Sequence, residues 1–299
     1  MLTVDCHLHL TDSSEQAPIW WMEEMYRPYG GGYVWTDGKA IVGILDRGGV
    51  DIGMVQGSDI RRTTYHPDFP DQRNVFVPND YTARQVALFP DRLIGVANID
   101  PLRDVRAGVL EQRRCVEEYG FRSSKFLPTY QNYYIDDPAV APMLEGCEEL
   151  DTVAHVNTGY SPTITAALRY GHPERLDLIG IRHRDLRVLV YINFPYVDEG
   201  IAVVARHPNF HADIAYFVGA GPEPLFDALD KLRGLNALDR VVYGSDNNDK
   251  DRTGGGQKIG THLLDELNEV AERRDREPFV AAQIEGIVGG NARRLYKLD

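Results

Sequence analysis

Cysteine is scarce: the 299 residues contain three, at Cys6, Cys115 and Cys147. An odd number with no CxxC spacing excludes a disulfide framework and a thiolate zinc site, and points to free thiols in a reducing compartment. Positive charge is also short. Lys and Arg number 32 against 45 Asp and Glu, a formal net charge of −13. Nonspecific nucleic-acid binding needs a basic surface to neutralise phosphates, so that class falls, and anionic membranes are disfavoured. No run reaches the roughly 18 consecutive apolar residues expected of a membrane span. The stretch MLTVDCHLHL has no basic segment followed by an apolar one. A secretory leader is therefore not expected, and a cytoplasmic location is.

What the chain does have is alternation. Short β-rich runs occupy residues 3–10, 50–56, 92–99, 122–127, 152–157, 187–193, 210–215 and 240–245, with helix-length patterns between them. Strands separated by helices imply βαβ units and a parallel sheet. The punctuation agrees. Gly48-Gly49 ends the first helical pattern, Asn79 is placed to cap another, and Pro101 suits the first position of a third that Gly120 closes. Eight strand candidates predict an α/β fold, a (β/α)8 TIM barrel formed as a single domain over residues 1–299. The alternative, an open doubly wound sheet, ordinarily carries a Gly-rich phosphate loop after its first strand. Here that strand ends in His7-Leu8-His9, and Gly30-Gly31-Gly32 comes only later, in an aromatic segment. Two stretches read as loop insertions at the C-terminal face, where active sites of such barrels sit. One is residues 11–35, with Trp20, Trp21, Tyr26, Tyr29, Tyr33 and Trp35; the other is residues 247–258, rich in Asp and Gly.

Residues with chemical potential cluster at the strand ends. Alternate side chains of a strand share a face, so His7 and His9 point the same way, about 7 Å apart along it. Two imidazoles in a barrel mouth can converge on one ion, and zinc, manganese or iron suits nitrogen and carboxylate ligands. Cys6, between them, is expected to face away into the core. Asp246 ends the eighth strand beside the first, where a carboxylate can bind a metal and accept a proton from water. His155 and Asn157 share a facing on the fifth strand, and Asn193 ends the sixth. Lys125 is mid-strand on the fourth. Facing inward it would serve as a substrate cation, an electrophile or a carboxylated metal ligand; facing the helices it would only reach solvent. Arg61-Arg62 would hold a substrate carboxylate or stand as a solvated pair. The aromatic insertion would lid a flat substrate or bury an oligomer interface. His66, His172, His183, His207 and His211 have no site context.

DCHLH on the first strand is followed by NDYTARQVALFPDRLIGVANIDP, GFRSSKFLPTYQNYYIDDP, VAHVNTG, RVVYGSD and GGNARRLYKL. In this order the pattern resembles the amidohydrolase superfamily, and within it the amidohydrolase-related branch that includes aminocarboxymuconate-semialdehyde decarboxylase and lactone hydrolases. The resemblance implies a (β/α)8 barrel with one divalent metal, zinc first and manganese or iron as alternatives. It also implies hydrolysis through activated water, or nonoxidative decarboxylation, and a homodimer. His7 and His9 match the first-strand ligands and Asp246 the eighth-strand aspartate. Three histidines usual in relatives are replaced, by Leu127, Asn157 and Asn193, and His155 is the substitute ligand on the fifth strand. The expected activity is a metal-dependent hydrolase of a small amide, lactone or ester. In it Asp246 is base, Lys125, Asn157 and Asn193 orient the substrate or polarise its carbonyl, and Arg61, Tyr130 and Tyr160 contact it. Decarboxylation of an aromatic or muconate-type acid is the alternative. A barrel that binds a small molecule without turnover is a further one, motivated by the lost histidines.

Overall fold

A computed structural model describes residues 2–29, 32–61, 75–163, 166–247 and 259–298. Eight strands form one parallel sheet in chain order. They are β1 (Val4–His9), β2 (Ile52–Gln56), β3 (Leu93–Asn98), β4 (Ser123–Phe126), β5 (Val153–Asn157), β6 (Arg187–Tyr191), β7 (Phe210–Asp213) and β8 (Val241–Val242). The last strand returns to the first: Cys6 N–H donates to the Tyr243 carbonyl and Asp246 N–H to that of His7, each at 2.9 Å. Helices such as Gly38–Gly48, Val105–Glu117, Val197–Arg206 and Ile259–Arg273 occupy the connections. This is the expected barrel. Its strands start and stop close to the predicted runs, except that β8 is short and continues as irregular chain stitched to β1.

The helix ends follow the local chemistry only in part. Gly49 takes the left-handed conformation (φ 61°) that ends Gly38–Gly48, as a residue without Cβ can at no steric cost. Asn79 does not cap its helix. Its amide instead exchanges hydrogen bonds with the backbone of Asn98 at the end of β3. Pro101 opens no helix either; Asp104 caps Val105–Glu117, accepting from Ala107 N–H at 2.9 Å.

The core has two parts. Leu8, Ala97, Phe126, Val156 and Val190 face the helices and join the large outer cluster. Inside the barrel, Val4, Cys6, Met54, Val96, Val153, Leu189 and Val242 form a plug with Ala292, Leu295 and Tyr296 of the helix Asn291–Tyr296. Cys6 therefore packs in the barrel interior beneath the histidines, not on the outer face that strict alternation predicts. The β1–β2 pairing shifts between Asp5 and Leu8. Such a bulge places one extra residue in β1, so Cys6 and the histidines can both face inward. All three cysteines are free and buried.

The aromatic insertion folds over the mouth. It contains the helix Ile19–Tyr26, and Ala17 and Met22 pack with Ile60, Val75 and Leu127. Of the second insertion only Asn247 lies within the described residues, and Arg62 and His66 lie outside them. No helix among the described residues is long and apolar enough to cross a membrane.

Candidate active site

The C-terminal strand ends surround a cavity of about 370 Å³. On its floor His7 Nε2 and His9 Nε2 are 3.1 Å apart, and Asp246 Oδ1 lies 3.1 Å from His9 Nε2 and 3.8 Å from His7 Nε2. Beneath them Asp213 on β7 holds two imidazoles through one oxygen: Oδ2 is 2.6 Å from His7 Nδ1 and 2.9 Å from His155 Nε2. Its other oxygen accepts from Ala215 N–H at 2.9 Å. Lys125 Nζ sits 2.9 Å from His155 Nε2 and 3.4 Å from His7 Nε2. Lys125 thus faces inward, which removes the reading that sends its ammonium to solvent.

Asp246 and Asn247 both take left-handed backbone, with φ of 54° and 58°. Such a conformation costs a non-glycine residue on the order of 1–3 kcal/mol, least for Asp and Asn. Part of that cost is offset by the Asn247 side chain. Its Oδ1 accepts from His9 N–H at 2.8 Å and its Nδ2 donates to the His9 carbonyl at 2.7 Å. The amide thereby extends the edge of β1 and keeps the turn that carries Asp246 over the histidines.

Burial dominates the electrostatics. It draws the Lys125 ammonium down to about 7, against the attraction of Asp213 and Asp246. It holds the His155 imidazole far below its ordinary range, with Lys125 adding to the effect, and lowers that of His9. Burial alone would raise the Asp213 and Asp246 carboxyls, but His7 and the neighbouring histidine outweigh it and both are lowered. Burial pushes Asp5, which accepts from Ser245 N–H at 3.0 Å, up to about 7.

The floor suits a divalent cation. Ligand atoms about 2.1 Å from a small ion stand roughly 3–3.5 Å from each other, close to the separations among His7, His9 and Asp246. One ligand atom from each of the three lies within 4.8 Å of the others. Asp213 accepts the Nδ1 proton of His7 and so leaves the His7 Nε2 lone pair directed at the cavity, the usual support for a metal-binding histidine. His7, His155 and Asp213 form a second compact group, but hydrogen bonds already account for its short distances. His155 contacts Asp213, Lys125 and the His7 ring.

The remaining candidates divide. Tyr130, Tyr160, Asn157 and Asn193 line the cavity. Arg61 does not: its guanidinium forms two 2.7 Å bonds to Asp59 and lies over the Phe76 ring. Sequence reasoning missed Asp213, Gln56, whose amide is 3.2 Å from His9 Nε2, Asn247, and Tyr191, packed edge-on to His7. Asp213 had a signal, as an acidic residue inside the seventh β-rich run. Asn247 had none, since its role depends on a turn conformation.

A family model described as amidohydrolase matches residues 4–298. The chain belongs to the amidohydrolase family. A 2-amino-3-carboxymuconate-6-semialdehyde decarboxylase of Dictyostelium discoideum is 29% identical over 26% of this chain and 22% of that protein. A 2-keto-4-carboxy-3-hexenedioate hydratase of a Sphingobium species is 27% identical over 57% of this chain and 56% of that protein. The chain thus spans little more than half the length of the curated relatives it matches at best. Among solved structures, a 5-carboxyvanillate decarboxylase of Novosphingobium aromaticivorans with bound manganese superposes with a TM-score of 0.68 at 15% identity, covering 99% of this amidohydrolase and 97% of that chain. A probable 2-pyrone-4,6-dicarboxylic acid hydrolase of Acinetobacter baumannii superposes with a TM-score of 0.61 at 12% identity, covering 100% of each. At these identities the structural likeness speaks to the barrel alone.

Proposed function

We propose that this amidohydrolase is a metal-dependent hydrolase of a small amide, lactone or ester, with His7, His9 and Asp246 as the ligands of one divalent ion, zinc or manganese. Such an ion polarises a carbonyl and lowers the pKa of water. The observation that carries the reading is the charge inventory of the cavity. Besides the two histidines, Asp246 and Lys125 are the only charged side chains among the described residues that line it. Asp246, held ionised by its imidazole neighbours, accepts a proton from water. Lys125 faces the same floor and stabilises negative charge developing on the substrate oxygen. His155 supports Lys125 and Asp213 from below. Tyr130 and Tyr160 close the sides, and Trp21, Met22 and Tyr26 roof the space and exclude bulk water.

One observation favours a second reading, nonoxidative decarboxylation of an aromatic or muconate-type acid. The walls are rich in flat apolar surface, with Trp21, Tyr26, Phe194 and Tyr216 among them, and decarboxylases stand among the similar proteins. Elemental analysis of purified wild type and His7→Ala, with a panel of lactones, amides and aromatic acids, separates the outcomes. The hydrolase reading expects about one equivalent of metal, as a mononuclear site holds, lost in the variant together with lactone or amide cleavage. Carbon dioxide release with lactones and amides untouched supports the second reading. Absence of metal after supplementation with zinc and manganese overturns both and leaves a barrel that binds without turnover.

A further inference from the structure

We propose that the compound taken by this cavity carries an apolar arm, aryl or alkyl, that runs from the charged floor along the wall and leaves through the mouth. The inference rests on the reading of this cavity as a substrate site and adds the shape and polarity of the substrate it admits.

Polarity changes along the cavity. Its charged lining residues among those described are His7, His9, Lys125 and Asp246, linked by contacts of 3.1–3.4 Å at the floor, and none of them is exposed. Beyond them the wall is apolar: Met22, Ile60 and Leu127 line it, are buried, and pack as one cluster. The described lining residues that are also exposed are Pro28, Val34, Tyr160, Phe194 and Ala220. A residue that both lines a cavity and faces solvent stands at its opening. The opening is therefore edged by apolar side chains, with the Tyr160 hydroxyl as their one polar group.

Single exposed hydrophobic residues are ordinary on any protein surface. These five are not scattered. They come from four stretches of chain, the aromatic insertion, the ends of β5 and β6, and the segment after β7, and meet at one cavity. Two of them are joined directly: Tyr160 N–H donates to the Phe194 carbonyl at 2.6 Å, and the rings meet edge-on with centroids 6.4 Å apart. Val34 is 64% exposed and Phe194 55%. Clustered apolar surface of this kind marks a place where a ligand or partner is received, and its continuity with the apolar wall and the charged floor makes the substrate its occupant. A compound confined to the floor would leave the edge bare. One with an apolar arm removes that surface from water, and every methylene of the arm adds to the affinity.

Linear alkanoates from butanoate to decanoate test this without turnover, since they hold no amide, lactone or ester bond and are not aromatic or muconate-type acids. Calorimetric titrations are run on metal-supplemented and on chelator-treated protein. A metal changes the affinity of the carboxylate head by one factor for every member, so the increment per methylene stays readable if the hydrolase reading fails. The wild type is expected to bind about fourfold tighter per methylene, at one site, through decanoate. All three tryptophans, Trp20, Trp21 and Trp35, lie in the insertion, and Trp21 lines the cavity. Bound decanoate is therefore expected to change the intrinsic tryptophan emission. In Val34→Ser/Phe194→Ser, with folding checked by circular dichroism, the increment is expected to persist among the short acids and to shrink among the long ones. A flat series, a maximum at the short acids, decanoate binding with unchanged emission, or an unchanged increment in the folded double variant overturns the proposal. The wild-type series and its emission decide even if the double variant does not fold.

Discussion

Asp213 decides what His7 can do. Its Oδ2 faces two ring nitrogens while Oδ1 accepts from Ala215 N–H. An asparagine cannot keep both arrangements. With its oxygen toward the rings, its NH2 meets the Ala215 N–H; with its NH2 toward the rings, His7 Nδ1 must accept. The His7 proton then moves to Nε2 and removes the lone pair offered to a metal. Asp213→Asn is expected to weaken metal binding about 10–100-fold, read by competition with a chelating dye, with little change in the melting temperature.

Asp100 illustrates burial away from the site. Its carboxyl is pushed up to about 7, first by burial, and its Oδ2 has no hydrogen-bond partner. A raised carboxyl favours the folded state in its protonated form. That contribution is complete below its unfolded pKa, near 4, and is lost as pH rises through 7. Urea titrations of wild type and Asp100→Asn at pH 5 and pH 8 check the sign. The variant is expected to gain stability on the wild type at the higher pH, by at most on the order of a few kcal/mol.

At the scale of elements, small residues set how close the layers come. Gly95 in β3 lies against Phe121, just before β4, and a Cβ there would fall 2.1 Å from the ring. Phe121 is itself buried and has no room to retreat. Gly95→Ala is expected to lose about 1–3 kcal/mol or more through overpacking, seen as a lower melting temperature, while metal content of the folded fraction is retained. The strands themselves were legible because runs of Val, Ile and Leu between helical patterns need no tertiary information. The bulge in β1 was not legible. Nothing local in Val4–His9 marks the extra residue; it follows from how β1 must register against β2 while carrying both the inner plug and the site.

Across the whole molecule, closure of the barrel brings residues 7 and 246 to within 3.8 Å. The opposite end is sealed by Leu295, Ala292 and Tyr296 against Val4, Val153 and Val242. Leu295→Ala opens a cavity in that plug and is expected to cost about 2–5 kcal/mol. Thermal unfolding should show the loss, and metal stoichiometry at low temperature should stay that of the wild type.

Sequence alone determined the alternation of strands and helices, the placement of His7, His9 and Asp246 on neighbouring strand ends, and the family. The first two follow from spacing along the chain and the period of a strand, and the family from the resemblance of its motifs taken in order. Tertiary structure alone decided the rest. It assigned Asp213 to His7 and His155, turned Lys125 inward, spent Arg61 on Asp59, and moved Asn247 into the turn that carries Asp246. It also fixed the Asn193 amide, whose Nδ2 donates to the Tyr160 carbonyl. Those outcomes depend on which groups lie within about 3 Å across strands far apart in sequence, where a hydrogen bond either forms or leaves a buried atom unpaired.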